Sequence, residues 1–120
     1  MALHNTMGKI GEEMACRYLK EQGYEILDVN WKKGHWELDI IARKDGWVVF
    51  VEVKTRKNST FGNPEDFVNR KKQLLCIKAA NAYIIQHNIE EEARFDIIGV
   101  VLNETGYKIE HIPNAFNCLG

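Results

Sequence analysis

Cysteine is too scarce and too scattered to frame this chain. Cys16, Cys76 and Cys118 are odd in number, far apart and without a CxxC pair, which excludes a disulfide framework and a zinc knuckle. They read as free thiols, with Cys16 and Cys76 packed on helices. The histidines His4, His35, His87 and His111 form no HxxxH or HExxH pair, so a histidine metal centre is not expected and each reads as a solvated surface or loop residue. No apolar run approaches the roughly 20 residues of a membrane helix, and the opening MALHNTMGKIG lacks the basic flank and apolar stretch of a signal peptide. No membrane association and a cytoplasmic location are expected. No repeat or low-complexity segment is present, and a net charge of −1 excludes coating of nucleic acid by bulk electrostatics while leaving room for a local patch.

The 120 residues, 45% apolar and 28% charged, suffice for one globular domain with one core, expected over 8–120 after a flexible lead, 1–7. Basic residues gather between Lys54 and Lys72, opposed there only by Glu65 and Asp66, whereas Glu90, Glu91 and Glu92 read as a solvated loop.

From Gly8 to Gln22, Ile10, Met14, Ala15, Tyr18 and Leu19 recur at helical spacing, and Gly23 is a stop signal. At 100° per residue, Glu13 falls on the polar face with Lys9, Arg17 and Lys20, whereas Glu12 falls beside Leu19, between Ala15 and Cys16. YEILDV reads as a strand, NWKKGH as a polar turn, and WELDIIAR and WVVFVEVK as further strands around KDG. A loop containing Gly62 and Pro64 precedes a helix reaching about His87. Its apolar side is read as Leu74, Leu75, Ile77, Ala80, Tyr83 and Ile84, and Asn69 is favoured over Asn63 as its cap. RFDIIGVVL and YKIEHI, joined by NETG, complete an αβββαββ order, which implies a mixed α/β sheet covered by helices on both faces.

The chemistry lies in the second and third strands. Alternation places Trp36, Leu38, Ile40 and Ala42 on one face with Trp47, Val49, Val51 and Val53; Glu37, Asp39 and Ile41 lie opposite with Val48, Phe50, Glu52 and Lys54. An Asp45-Gly46 type I′ turn would set Lys44 opposite Trp47 and, counting outward, Asp39 opposite Glu52 and Glu37 opposite Lys54. Opposed carboxylates destabilise a sheet and resist double ionisation. A divalent cation compensates, and Mg²⁺, which keeps much of its water and takes one or two protein carboxylates, suits the pair. The competing reading is a salt-bridged sheet edge, with Glu37 paired to Lys54 and Glu52 to an arginine.

These residues, with GE at Gly11 and Glu12, ELDIIA from Glu37, VFVEVKTR from Val49, FGNP from Phe61, RKKQ from Arg70, RFD from Arg94 and PNAF near the end, resemble the YraN-type family of uncharacterised bacterial proteins. That family is grouped with the PD-(D/E)xK nuclease superfamily and is similar to archaeal Holliday junction resolvases. The resemblance implies a restriction-endonuclease-like fold and Mg²⁺-dependent phosphodiester hydrolysis, with Mn²⁺ as a substitute, on DNA that is branched or otherwise structured. It assigns Asp39 and Glu52 as the motif's acids, Lys54 as its lysine and Glu12 as the helix-borne glutamate, all four catalytic and the three acids metal-binding. Leu38 stands where the motif has proline, and Trp36 where a glycine is expected.

Arg70, Lys71 and Lys72 crowd a helix start, where cations are unfavourable unless an anion binds the free N–H groups there. Arg70 is thus a candidate nucleic-acid contact, and the resemblance singles out Lys72 and Gln73 as site-facing. Thr55 and Arg56 continue the catalytic strand toward a flanking phosphate. Asp96 reads as a hydrogen-bonded structural acid. The alternative function is a nucleic-acid-binding or protein-interaction module that keeps the fold without turnover. A homodimer would suit a four-way junction, with Trp31 and Phe116 as interface candidates.

Overall fold

The computed structural model describes residues 3–57 and 68–119. Its elements are α1 (Leu3–Glu21), β1 (Glu25–Lys33), β2 (Trp36–Lys44), β3 (Trp47–Arg56), α2 (Arg70–His87), β4 (Glu92–Asn103) and β5 (Gly106–Phe116), in the expected order. Asn63, the FGNP stretch, Glu65 and Asp66 lie outside the described residues, as does the side chain of His4. α1 begins at Leu3, within the stretch 1–7 read as a lead.

The strands form one sheet in the order β1-β2-β3-β4-β5. β3 and β4 run parallel, and the other neighbours are antiparallel. A parallel pair needs a long crossover, and the segment carrying α2 provides it. At the β2–β3 turn Asp45 and Gly46 both have positive φ (51° and 84°), the type I′ signature, and Lys44 pairs with Trp47 as the Asp-Gly signal required.

Each face of the sheet carries one cluster. Ala15 and Leu19 of α1 pack on Ile40, Val49, Val51, Ile98 and Val100. On the other face Cys76, Ala79, Ala80 and Tyr83 of α2 pack on Leu38, Ile41, Val48, Phe50, Phe95, Ile97 and Phe116. Fully burying each large aliphatic side chain contributes about 1.5–3 kcal/mol. Asn69 caps α2 as expected, its side chain accepting from the Lys72 N–H at 2.9 Å, which is worth about 1 kcal/mol.

The structure corrects several readings. α2 turns Cys76, Ala79, Ala80 and Tyr83 inward, not Leu74 and Leu75, which are 41% and 42% exposed. Small residues at helical spacing let the helix lie close to the bulky sheet face. β1 continues through NWKK, leaving only Gly34 and His35 outside the strands. Phe116 is buried in the core and stacks on Phe95 at 5.3 Å, and the partly buried Trp31 packs against the same cluster, meeting Tyr83 edge to face at 5.3 Å. Of the acidic triplet, Glu90 and Glu92 are exposed, whereas Glu91, in the bend before β4, is partly buried and pairs with Arg43. His111 is likewise not solvated, its side chain being only 10% exposed.

Candidate active site at the fork between β2 and β3

Ladder pairing between β2 and β3 proceeds from Lys44↔Trp47 to Ile40↔Val51, and there the register ends. Asp39 is not paired across the ladder with Glu52, nor Glu37 with Lys54. Instead the Asp39 Oδ2 accepts the Val53 N–H at 2.9 Å, so a side chain takes the place of a backbone carbonyl. The neighbouring strand is irregular at the same rung. Asn30, which would stand opposite Asp39 in the β1–β2 register, has a left-handed backbone (φ 54°), a conformation asparagine tolerates. At this rung the alternation breaks: Trp36 and Leu38 join the α2-side cluster, whereas Ile40 joins the α1-side cluster. The expectation of one continuous apolar face from Trp36 to Ala42 fails for this reason. Glu37 turns outward and pairs with Lys32 at 3.5 Å.

Asp39 consequently interacts with groups from both layers. Glu52 is buried on the α2 side, and its Oε2 lies 3.7 Å from the Lys72 Nζ; the buried Cys76 hydrogen-bonds the same carboxylate. Burial and then the charge of Asp39 push Glu52 up to about 7, against the opposing pull of Lys72 and Lys54. Burial likewise raises Asp39, although the Val53 N–H and the two lysines act against the rise. From α1, Glu12 is raised by burial and by the charge of Asp39, and the Asn30 side chain hydrogen-bonds it. Glu13, the next residue, is exposed. The helix comes this close because Gly11 has no side chain: a Cβ there would sit 1.9 Å from the Thr55 Oγ1.

The structure thus groups Glu12, Asp39, Glu52, Lys54 and Lys72, with Thr55 packed beside Gly11 and Arg56 exposed at the end of β3. Arg70 and Gln73 are differently committed. The Arg70 guanidinium donates to the carbonyls of Asn117 (2.8 Å) and Cys118 (3.1 Å) and to Gln73 Oε1 (3.0 Å). The Gln73 Nε2 donates to the Val68 carbonyl at 3.0 Å. These two side chains anchor the start of α2 to the chain's end, while Lys71 is exposed. Asn30 and Cys76 belong to the site and were missed as site residues by sequence reasoning. One signal existed: Lys72, Cys76, Ala79, Ala80 and Tyr83 fall on one helical stripe, which makes Lys72 a charged residue on the inward face.

Among the described residues no three His, Cys, Asp or Glu side chains gather into one metal-holding group. Asp39 and Glu52 act on each other's charge, and Glu12 feels the charge of Asp39.

A five-stranded mixed sheet between two helices, in the order αβββαββ, is consistent with the restriction-endonuclease-like fold. Residues 11–100 match the model of the Uncharacterised protein family UPF0102, the YraN family, and the chain belongs to it. It is similar to the UPF0102 protein FP2501 of Flavobacterium psychrophilum, 47% identical over 116 residues, covering 97% of this chain and 98% of the relative. The UPF0102 proteins of Christiangramia forsetii and Bacteroides thetaiotaomicron are also 47% identical over 116 residues; each comparison covers 97% of this chain, and 98% and 96% of the respective relatives. Among the described residues no helix is long and apolar enough to cross a membrane.

Proposed function

We propose that the protein is a divalent-cation-dependent endonuclease that hydrolyses phosphodiester bonds in DNA, with branched or otherwise structured DNA as its substrate class. The observation that carries this reading is the coupled pair of carboxylates, Asp39 and Glu52, largely withdrawn from water at a fork in the sheet with two lysines beside them. Desolvated like charges cost folding energy unless a ligand offsets them, and titratable groups perturbed in this way concentrate at functional sites.

Asp39 and Glu52 would hold Mg²⁺, or Mn²⁺ in its place. Bound there, the cation offsets the charge of the scissile phosphate and lowers the pKa of coordinated water. The protein's own groups supply the rest. The Asp39–Val53 hydrogen bond fixes one carboxylate oxygen, so Asp39 presents the other in a set direction. Lys54, on the same strand as Glu52, offers its ammonium to a non-bridging phosphate oxygen, where charge grows as water attacks phosphorus. Glu12 accepts a hydrogen bond from that water and orients it in line with the bond that breaks; as the new P–O bond forms, the water loses a proton to solvent and the 3′ or 5′ oxygen leaves with a proton from solvent. Thr55 and Arg56 extend the contact toward the flanking phosphate.

The test is incubation of wild-type protein and Asp39→Asn with a four-way junction and with linear duplex in Mg²⁺, alongside calorimetric Mg²⁺ titration. Junction cleavage and carboxylate-dependent cation binding by wild type alone are expected. DNA binding without cation binding or cleavage would favour the non-catalytic module instead.

A further inference from the structure

Lys72 stands where neither helix nor core has use for it. Its backbone lies in the first turn of α2, the positive end of the helix dipole, where an ammonium is disfavoured. Its side chain extends the inward stripe of Cys76, Ala79, Ala80 and Tyr83, yet is 38% exposed and ends 3.7 Å from a Glu52 side chain that is only 5% exposed. That separation exceeds hydrogen-bond length, so charge attraction without a fixed bond holds the ammonium there. The same ammonium interacts with Asp39. Lys54 also acts on both carboxylates.

The local charge therefore closes without any metal: two carboxylates, two ammonium groups. A divalent cation entering this set leaves two positive charges in excess, one after Glu12 is counted, and a phosphodiester supplies the negative charge that restores balance. Of the two lysines, Lys72 is the one placed to leave: it is 38% exposed and sits at a helix end, whereas Lys54 is on the strand that carries Glu52.

Resting on the nuclease reading of the site, we infer that Lys72 is a displaceable internal counter-ion: it neutralises the Asp39–Glu52 pair in the metal-free protein, yields that place to the divalent cation, and passes to the substrate phosphate. Cation and DNA binding are then coupled through this one side chain, since each ligand favours the lysine position the other requires, and such coupling is reciprocal.

The experiment is calorimetric titration of Mn²⁺ into wild type, Lys72→Met, Lys72→Arg and Lys71→Met at pH 8.5, free and with a saturating uncleavable junction carrying phosphorothioate linkages. Lys72→Met should bind Mn²⁺ about tenfold more tightly than wild type without DNA, within the usual range of coupling between sites. DNA should tighten Mn²⁺ binding by wild type and by Lys72→Arg, which keeps the charge, but not by Lys72→Met. Lys71→Met, one residue away and exposed, should match wild type throughout. Unchanged or weaker Mn²⁺ binding by Lys72→Met overturns the inference, as does equal DNA enhancement in Lys72→Met and wild type. Should Lys72→Met fail to fold, Lys72→Gln takes its place with the same expected outcomes. Absence of Mn²⁺ binding by wild type would instead overturn the nuclease reading itself, so the two failures are told apart.

Discussion

Two acidic centres share one sheet, Asp96 on the α1 face and the Asp39–Glu52 pair at the fork, and they differ in how well their charge is met. Asp96 is wholly buried beneath α1, and every direction around it is answered. Arg94 donates from Nε (2.9 Å) and Nη2 (2.8 Å), the Asn114 N–H donates at 3.0 Å, and His111 Nε2 lies at 2.7 Å. An ionised carboxylate only accepts, so His111 donates from Nε2, and its Nδ1 shares a hydrogen bond with the Tyr18 hydroxyl at 2.9 Å. These bonds hold Asp96 below its ordinary value despite the burial that would raise it. Asp39 and Glu52 are shielded from water too, but they face each other's charge with one backbone N–H, one thiol and two lysines, of which Lys72 lies beyond hydrogen-bond length, and both are raised. A carboxylate enclosed by fixed hydrogen bonds is structural; a carboxylate pair balanced by charges it does not bond is open to a ligand.

The largest effect that would sharpen this contrast is at the satisfied site. Asp96→Ala strands Arg94 and His111 and should cost about 3–5 kcal/mol, the scale for breaking a buried ion pair. Urea denaturation would read it; a loss under 1 kcal/mol would mean that Asp96 does not organise its surroundings. Glu52→Gln should do the reverse. The folded protein holds Glu52 near 7 against an ordinary 4.5, so it retains a proton that the unfolded chain releases. In the metal-free protein this contribution is full below 4.5, declines as pH rises toward 7 and is gone above it. At pH 8 Glu52→Gln should therefore stabilise the metal-free protein, by up to about 3 kcal/mol less what the Lys72 pairing gave, and flatten the pH slope. Asp96, held low, produces the opposite slope, a loss as pH falls through its folded value. Melting curves at pH 5 and pH 8 separate the two; destabilisation by Glu52→Gln at pH 8 would make the pair an ordinary ion-pair cluster.

Much of this was legible in the sequence because it depends on local rules. Asp45-Gly46 set the turn, period two put Glu52 and Lys54 on one side of β3, helical phase separated Glu12 from Glu13, and Asp96 between Phe95 and Ile97 read as structural. What escaped depends on atoms distant in the chain. The fork coincides with a left-handed Asn30 on a neighbouring strand and with a side chain accepting a backbone N–H, neither of which alternation encodes. The bonds from Arg70 to the Asn117 and Cys118 carbonyls also escaped, because those partners lie at the far end of the chain. Leu74 and Leu75 drew the apolar face of α2 to the wrong side, which obscured the significance of Lys72 beside the small residues that do face the sheet.

Within the unsatisfied site, the next effect is on turnover. Lys54→Ala leaves Asp39 and Glu52 in place, so Mg²⁺ binding should persist while junction cleavage falls about a hundredfold, the usual scale for one electrostatic group at a transition state. Single-turnover rates at saturating Mg²⁺ would measure it; cleavage at the wild-type rate would remove Lys54 from the mechanism.

The smallest contrast is also the most local. Glu12 and Glu13 are adjacent on α1, carry the same charge and differ in where helical phase sends them. Glu12 is partly buried and coupled to Asp39, while Glu13 is exposed. Glu12→Ala should slow cleavage by about tenfold, short of the Lys54 effect, because it orients water without holding the cation. Its removal also relieves repulsion on Asp39, so cation binding should survive. Glu13→Ala should change neither property, although it removes the same charge from the same turn. Equal sensitivity at both positions would trace the effect to the general field of the helix, and Glu12 would then have no part in orienting the attacking water.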